Sequence, residues 1–222
     1  VLFEPQFDAT GSYHQGHLTV RAADGWGWID VETGEFLLPR TYRAVGHFDG
    51  GFAVVTTGDG DGIVGRDGQF VFGPLKDAHL SAFHGPLKVI VVGGRYGIVD
   101  GESGSFLVEP TYKFIAPLQD GRAQVRTHDD WFGFMDERGT VVIEPRFSRA
   151  DWFREGRAVA AVDGGPSGYL DRSGAWIIKP HLEEAGPYRK GLALVVVQGE
   201  TRYRYLNKDG QTVYSFARPQ DP

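Results

Sequence analysis

Residues 128–131 place an imidazole, two carboxylates and an indole side by side in the chain. His128, Asp129 and Asp130 could serve in metal binding or acid–base chemistry, and Trp131 could stack against a sugar ring. The other histidines fall at unrelated positions and show no ligand spacing. We therefore interpret the segment as a solvated turn inside a long hairpin rather than as a reactive centre.

A second acidic motif, Asp59-Gly60-Asp61-Gly62, resembles the opening of a calcium-binding loop. The next ligand position of such a loop is Ile63 here, and no bidentate glutamate lies at the offset where the loop should end. A glycine-rich hairpin tip is the better interpretation. Since the chain has no cysteine, thiolate zinc sites and cysteine nucleophiles are excluded. We predict neither a metal nor a cofactor.

Short enzyme signatures are absent from the sequence. The chain contains no Gly-x-Ser-x-Gly elbow, no P-loop and no His-Glu-x-x-His motif. Ser167 lies in a turn-like segment with no evident base. These observations predict a non-catalytic protein. They leave open a hydrolase or lyase that gathers carboxylates from distant loops in a central funnel, because sequence order does not display such a site.

The charge balance excludes one class of partner. The formal net charge is −6, whereas non-specific nucleic-acid binding needs clustered lysine and arginine. The longest apolar run, residues 192–197, is far shorter than the roughly 20 residues of a membrane-spanning helix. Hydrophobic residues make up 41% and aromatic residues 13% of the chain, which indicates a folded protein. We predict no nucleic-acid partner and no membrane insertion.

Glycine is the most unusual part of the composition. The chain has 32 glycines, about twice the usual share of roughly 7%, and many recur at a spacing of about 35 residues. The first series is Gly16, Gly51, Gly121, Gly156 and Gly191; the second is Gly27, Gly62, Gly97, Gly133 and Gly168; the third is Gly34, Gly68, Gly104, Gly139, Gly174 and Gly210. A proline series keeps the same spacing: Pro5, Pro39, Pro74, Pro110, Pro145 and Pro180. Six repeats of this length cover nearly the whole chain.

Each repeat has the pattern of short strands and tight turns, because β-branched and aromatic runs alternate with glycine-rich segments. The two positions after the second glycine series are apolar in every repeat, as in Trp28 and Ile29. Adjacent strand residues point to opposite faces, so we expect each sheet to be covered on both faces by like sheets. No segment shows a helical period with caps. The sequence therefore predicts an all-β protein.

An Asp or Asn follows this apolar pair in most repeats, as at Asp136. These residues could form a ring of acids, but a turn is the better interpretation. The Asp or Asn side chain bonds backbone N–H groups of the turn, and the third-series glycine supplies φ > 0. We also expect the second-series glycines to let a neighbouring sheet approach closely, and the prolines to end the third strand of each repeat.

The segment Gly25-Trp26-Gly27-Trp28-Ile29-Asp30 resembles the W-G-Y-I-D motif of the WG-repeat family, with further copies at residues 131–136 and 167–171. Residues 141–145 and 191–193 fit the V-I-x-P and G-L-A segments of that family. Departures include Arg204 at the glycine position and Lys88 at the small-residue position. The resemblance implies a β-propeller or propeller-like array of a mainly bacterial type, used for binding and scaffolding more than for one chemistry.

The two ends of the chain predict how the repeats close. Residues 1–5 match the third strand at 141–145, and residues 212–216 fill the same place in the last repeat. A spare N-terminal strand can complete the last sheet and remove exposed edges. We expect one domain over residues 1–216, forming a β-propeller of six blades with three to four strands each, and a flexible tail at 217–222. An open stack of sheets is the alternative. Because the chain begins at Val1, we expect a trimmed or mature form, or a part of a larger multidomain protein.

Function is expected where the repeats disagree most, in the turn that precedes each W-G-type strand. The candidate partner-binding residues lie on these variable turns: Asp59, Asp61, Arg95, His128, Asp129, Asp130, Trp131, Glu200 and Arg202. The leading hypothesis is a scaffold that binds a protein or peptide through this loop face. The alternative is a propeller that binds a glycan or small molecule, with exposed Trp or Tyr rings as stacking platforms.

Overall fold

A computed structural model describes residues 7–37 and 41–218 of the chain. Every regular element among these residues is a β-strand, which confirms the all-β prediction. The chain divides into two compact units, Val1–Thr111 and Tyr112–Pro222. No helix in the described residues is long and apolar enough to cross a membrane.

Unit 1 holds three sheets, one for each of the first three repeats. The first sheet contains β1 (Ala9–His14), β2 (His17–Ala22) and β3 (Gly25–Asp30). The second contains β4 (Ala44–Val45), β5 (Phe52–Thr57), β6 (Gly60–Gly65) and β7 (Phe70–Leu75). The third contains β8 (Ala78–His84), β9 (Leu87–Val92), β10 (Arg95–Asp100) and β11 (Phe106–Tyr112).

Unit 2 holds the other three repeats in two sheets. A four-stranded sheet contains β12 (Phe114–Ile115), β13 (Ala123–Arg126), β14 (Phe132–Met135) and β15 (Val141–Phe147). A seven-stranded sheet contains β16 (Arg149–Ala150), β17 (Ala158–Ala161), β18 (Ser167–Leu170), β19 (Trp176–Ala185), β20 (Ala193–Val197), β21 (Arg202–Leu206) and β22 (Thr212–Ala217). Strand β19 pairs with β18 through its first part and with β20 through its second, so it serves two successive repeats.

These sheets have the three to four strands per repeat that the sequence predicts. The segment proposed to close a ring, residues 1–5, lies outside the described residues, so closure and the single domain over residues 1–216 stay predictions. At the other end, β22 includes Ala217, and Arg218 forms ion pairs with Glu183 and Glu184. The rest of the predicted tail, residues 219–222, lies outside the described residues.

The sheets stack through the apolar pair that follows each second-series glycine. Trp28 packs in one cluster with Val64 of the next sheet, and Phe134 packs in another with Leu170. All four side chains are buried. Burial on both faces of a strand requires a neighbour on each side, so the predicted stacking of like sheets is confirmed within each unit.

Three of the second-series glycines, Gly62, Gly133 and Gly168, face a bulge in their own sheet. Phe132 pairs with Phe147 and Phe134 pairs with Ile143, so extra residues of β15 bulge opposite Gly133. A Cβ atom on Gly133 would lie 2.5 Å from the Ile143 carbonyl oxygen and 2.6 Å from the Pro145 nitrogen. The expectation that these glycines admit a neighbouring sheet was therefore wrong, because the close contact is with the adjacent strand.

The prolines also differ from the expectation. Pro145 lies inside β15 and Pro180 lies inside β19, so proline does not end the third strand. Each lies in the bulge opposite a second-series glycine, where the register of the two strands shifts. Since a bulged residue is left out of the ladder, the missing proline N–H costs no strand-pairing hydrogen bond.

The Asp and Asn positions form turns, as predicted. The Oδ1 atom of Asp136 accepts hydrogen bonds from the backbone N–H groups of Arg138 and Thr140, both at 2.9 Å. Asn207 Oδ1 accepts the same pair of bonds from Asp209 and Gln211. The six third-series glycines all have positive φ: Gly34, Gly68, Gly104, Gly139, Gly174 and Gly210. Asp136 and Asn207 therefore each use Oδ1 to close their own turn.

Candidate functional site

The variable turns carry the residues that the sequence singled out, each turn on its own hairpin. Asp59 is exposed at the tip between β5 and β6, where its backbone N–H donates to Thr57 Oγ1 at 3.1 Å. Arg95 is exposed at the start of β10. Its side chain makes no hydrogen bond or ion pair with any residue that the structure describes.

Asp61 differs from the other turn residues because it connects two sheets. Its Oδ1 atom accepts a hydrogen bond from Thr56 Oγ1 at 2.7 Å, and its Oδ2 atom accepts one from the Leu80 N–H at 3.1 Å. Leu80 lies on β8 of the third sheet. Both carboxylate oxygens are thus engaged inside unit 1, which gives Asp61 a structural role and places it beside a cavity.

The segment 128–131 is an ion-paired turn. Asp130 has a φ of 67°, and its Oδ1 atom lies 2.5 Å from Lys113 Nζ and 3.0 Å from Arg126 Nε. The hydrogen bond from Lys113, with the charge of Arg126, holds the pKa of Asp130 below its usual value. The backbone N–H of Trp131 donates to Thr127 Oγ1 at 3.1 Å. His128 and Asp129 are exposed, and their side chains have no such partner in the described part of the chain.

The last variable turn is also held by its own charges. Glu200 accepts two hydrogen bonds from Arg204, at 2.9 and 2.5 Å. Arg202 donates to the Ser215 carbonyl oxygen at 3.2 Å. Arg204 stands where other repeats have glycine, and its ion pair accounts for that departure. Among the residues described, no group of three or more His, Asp or Glu side chains could hold a metal ion.

A cavity of about 550 Å³ lies in unit 1. It is lined by β4 and the segment after it, by β5, by β8 and by residues at the ends of β1, β6 and β9. Apolar groups such as Val45, Val54 and Leu80 form much of the wall. The polar groups at its surface are those of His14, His47, Asp49, Thr56, Asp61, Ser81 and Lys88. This volume and this mixture are typical of small-ligand sites.

Lys88 is the most unusual residue of the cavity. Only 1% of it is exposed, and burial of a lysine requires a partner for its charge. Its Nζ atom donates to the carbonyl oxygens of Gly85 at 2.8 Å and of Asp49 at 3.3 Å. Burial lowers the pKa of Lys88, and the negative charge of Asp49 acts in the opposite direction.

Two histidines lie at the exposed side of the same cavity. The rings of His14 and His47 are 5.3 Å apart between centroids, and His47 Nε2 lies 3.0 Å from the Ser12 hydroxyl oxygen. Ala82 also lines this cavity and is exposed. The cavity is therefore open to solvent on the side of His47 and Ala82, while Lys88 lies at a buried position.

Unit 2 has a smaller cavity of about 310 Å³. It is lined by Gln124, Ala150, Asp151, Trp152, Arg154 and Pro187. Trp152 is 44% exposed, and Gln124 donates its amide to the Ala150 carbonyl oxygen at 2.7 Å. The side chains of Asp151 and Arg154 make no hydrogen bond or ion pair with other described residues, so they are available to a ligand.

These two cavities share a repeat position that none of the sequence motifs marks. This position lies four residues before the first-series position of each repeat. It places His47 and Ala82 in the wall of the cavity of unit 1, and Trp152 and Pro187 in the wall of the cavity of unit 2. Across the six repeats this position reads Ser12, His47, Ala82, Pro117, Trp152 and Pro187. The variability of this position could have located the cavities, because positions that only pack in the core, such as those of Trp28 and Ile29, are apolar in every repeat.

Stacked sheets that repeat along the chain, with variable residues at their turns, define a β-repeat protein. Four segments of the chain, residues 26–60, 96–131, 132–165 and 168–200, match the model of the WG containing repeat. These segments cover more than half of the chain, which therefore belongs to the WG-repeat family. Residues 61–95, which include Lys88, fall between two matched segments.

Comparison with curated proteins finds no match. Among solved structures, BamB from Moraxella catarrhalis is 13% identical, with 94% of this chain and 76% of that chain covered and a TM-score of 0.41. Kluyveromyces lactis Hsv2 is 16% identical, with 78% and 62% covered and a TM-score of 0.40. The computationally designed Ika8 protein is 13% identical, with 97% and 88% covered and a TM-score of 0.33. Similarities at this level carry no argument about function.

Proposed function

We propose that this chain is a non-catalytic binding module for a protein or peptide, and that a side chain or chain end of the partner enters the cavity of unit 1. The observation that carries the proposal is the open cavity of about 550 Å³, within the range of about 300–1,000 Å³ usual for ligand sites. Its walls combine apolar residues with a few polar groups, which is the composition that gives both affinity and orientation.

The engagement of the acidic residues supports a non-catalytic role. Asp61 uses both carboxylate oxygens to connect β6 with β5 and β8. Asp130 is paired with two cations, and Asp136 accepts backbone hydrogen bonds of its turn. A general base must be free to accept a proton from substrate, so these groups are poorly suited to acid–base catalysis.

The variable turns are the second surface that the partner could contact. Arg95, His128 and Asp129 are exposed, and their side chains are unpaired within the described residues. Such contacts at a solvated rim contribute specificity and association rate more than affinity. We therefore assign the main binding energy to the cavity and place the turns in a supporting role.

A peptide array tests both assignments with the full chain. A cavity-blocking variant, Ala82→Trp, places a large ring at an exposed wall position, which leaves the buried core intact. A turn variant combines Asp129→Ala, Asp130→Ala and Arg202→Ala. We expect the turn variant to keep most peptides of the wild type and Ala82→Trp to lose them. Retention of the same peptides by Ala82→Trp would contradict the cavity assignment, and an array with no bound peptide would contradict the function.

Glycan binding is the second candidate, and Trp152 is the observation that favours it. An exposed indole beside a cavity can stack on a sugar ring, while Asp151 and Arg154 can bond its hydroxyl groups. A glycan array should then give signal with the wild type and with Trp152→Phe, and lose it with Trp152→Ala. Absence of signal at high protein concentration would remove this candidate.

A further inference from the structure

Lys88 occupies a repeat position where four of the six repeats have alanine. The equivalent residues are Leu18, Ala53, Ala123, Ala158 and Ala193. Replacing a small apolar residue by a buried lysine costs stability unless the charge is compensated. The third repeat departs from its pattern here, beside the cavity of unit 1, which points to a role other than packing.

The ammonium group of Lys88 is only partly satisfied. An ammonium has three N–H donors, and two of them reach the carbonyl oxygens of Gly85 and Asp49. No third acceptor and no carboxylate at ion-pair distance is present among the residues that the structure describes. Lys88, which lines the cavity, thus has one N–H donor without an acceptor among the described residues.

The other charged groups of the cavity do not supply the missing acceptor. Asp61 is occupied by Thr56 and Leu80. Asp49 bonds Lys88 through its backbone carbonyl oxygen rather than through its carboxylate. His14 and His47 lie at the exposed side and carry no negative charge. Asp49 acts on Lys88 through the charge of its carboxylate, but no described carboxylate lies at ion-pair distance, so the third N–H of Lys88 is left for a negatively charged group of a ligand.

We propose that the cavity of unit 1 recognises a carboxylate attached to an apolar body, with Lys88 as the anion-binding group. This inference rests on the proposed function, since it names the chemical group that a partner inserts. The carboxylate accepts the third N–H of Lys88, and the apolar body packs against Val45, Val54 and Leu80. Charge-assisted hydrogen bonds of this kind are stronger than neutral ones.

Three probes share an alkyl chain and differ in the charge of their polar end, so they separate the effect of charge from that of apolar burial. They are hexanoate, hexanamide and hexylamine. Calorimetric titration of the full chain should show hexanoate binding at least tenfold more tightly than hexanamide, with hexylamine weakest. Lys88→Met should abolish this preference, because the apolar stem remains and the charge is lost. Lys76→Met, which removes an exposed lysine of the same unit, should leave it unchanged. Lys88→Ala, which introduces the residue found in four other repeats, is the second variant if Lys88→Met folds poorly.

The source of the carboxylate is resolved by a second pair of probes. An N-acetylated dipeptide is compared as its free acid and as its amide. Preference for the free acid indicates recognition of a peptide C-terminus, whereas binding of hexanoate alone indicates a small free acid.

The outcomes separate the two proposals. Equal affinity for hexanoate and hexanamide in the wild type would overturn the role of Lys88. If peptides on the array still depend on an unblocked cavity, the proposed function stands without this inference. If no probe binds and the array signal survives Ala82→Trp, both the cavity assignment and the carboxylate inference fail.

Discussion

Gly133→Ala should be strongly destabilising although it adds a single methyl group. The new Cβ atom would lie 2.5 Å from the Ile143 carbonyl oxygen, 2.6 Å from the Pro145 nitrogen and 2.9 Å from the Pro145 Cα. Real Cβ contacts are not shorter than 3.0 Å, so the strands must separate by about 0.5 Å. Every clashing atom belongs to the backbone, which cannot rotate away as a side chain can.

The size of the effect follows from the surroundings of Gly133. Its neighbours Phe134 and Met135 are fully buried, and the bulge of β15 fixes the position of Pro145. Overpacking of a well-packed core costs about 1–3 kcal/mol, and this backbone clash belongs at the upper end, at about 3 kcal/mol. For a chain of this length, that free energy corresponds to a fall in Tm of about 6–12 °C.

Thermal unfolding followed by circular dichroism measures this change. The control is Gly58→Ala, where the nearest atom to a new Cβ is Arg43 Nη2 at 3.6 Å and φ is not positive. We expect the control to lie within about 2 °C of the wild type. A Gly133→Ala variant that unfolds at the wild-type temperature would refute the assignment of the second-series glycines to the bulge.

Three further predictions concern other positions. Asp171→Ala should lower Tm by about 2–4 °C at pH 7, since Asp171 Oδ1 accepts bonds from Ser173 and Ala175, whereas Asp171→Asn should retain most of the stability, as Asn207 does in its turn. The hydrogen bonds from Ser173 and Ala175 lower the pKa of Asp171. The stability that Asp171 contributes is therefore present above the unfolded pKa of about 3.9 and is lost as the pH falls through the folded pKa. The Tm values of the alanine variant and the wild type should converge in acid. Lys88→Met should not lower Tm at pH 7, because it removes a buried charge. Burial lowers the pKa of Lys88 in the folded protein, so any increase in Tm of the variant over the wild type should shrink as the pH rises toward the unfolded pKa of about 10.4. Asp61→Ala should cost about 2 kcal/mol in urea unfolding, because Thr56 and the Leu80 N–H lose their acceptor; an unchanged midpoint would contradict the structural role of Asp61.

Local chemistry made much of the fold predictable. Trp28 and Ile29 are adjacent and apolar, which is sufficient to predict a strand buried on both faces. Asp136 and Gly139 have the spacing of a turn, and the structure has the expected hydrogen bonds. Gly133 was located correctly as a site of close approach, but the approaching strand could not be identified, because bulge register depends on pairing across the sheet.

The candidate site was less predictable because its contacts are long-range. Lys88 was recognised as a departure from the repeat, yet its partner Asp49 is 39 residues away. Asp61 has the composition of an exposed hairpin tip, but its carboxylate contacts Leu80 in the next sheet. Trp152 was not singled out because its neighbours, Asp151 and Phe153, give no motif. Cavities depend on packing between sheets, and sequence spacing within one repeat does not encode that packing.

The most direct test of the central claim is the NMR titration of the ε-methylene signal of Lys88 with hexanoate in the full chain. We expect a saturable shift of the Lys88 signal, a rise in its pKa on binding, and no change at Lys76. A Lys88 signal that does not move at saturating hexanoate, or shifts confined to the variable turn at His128, would contradict a binding site in the cavity of unit 1.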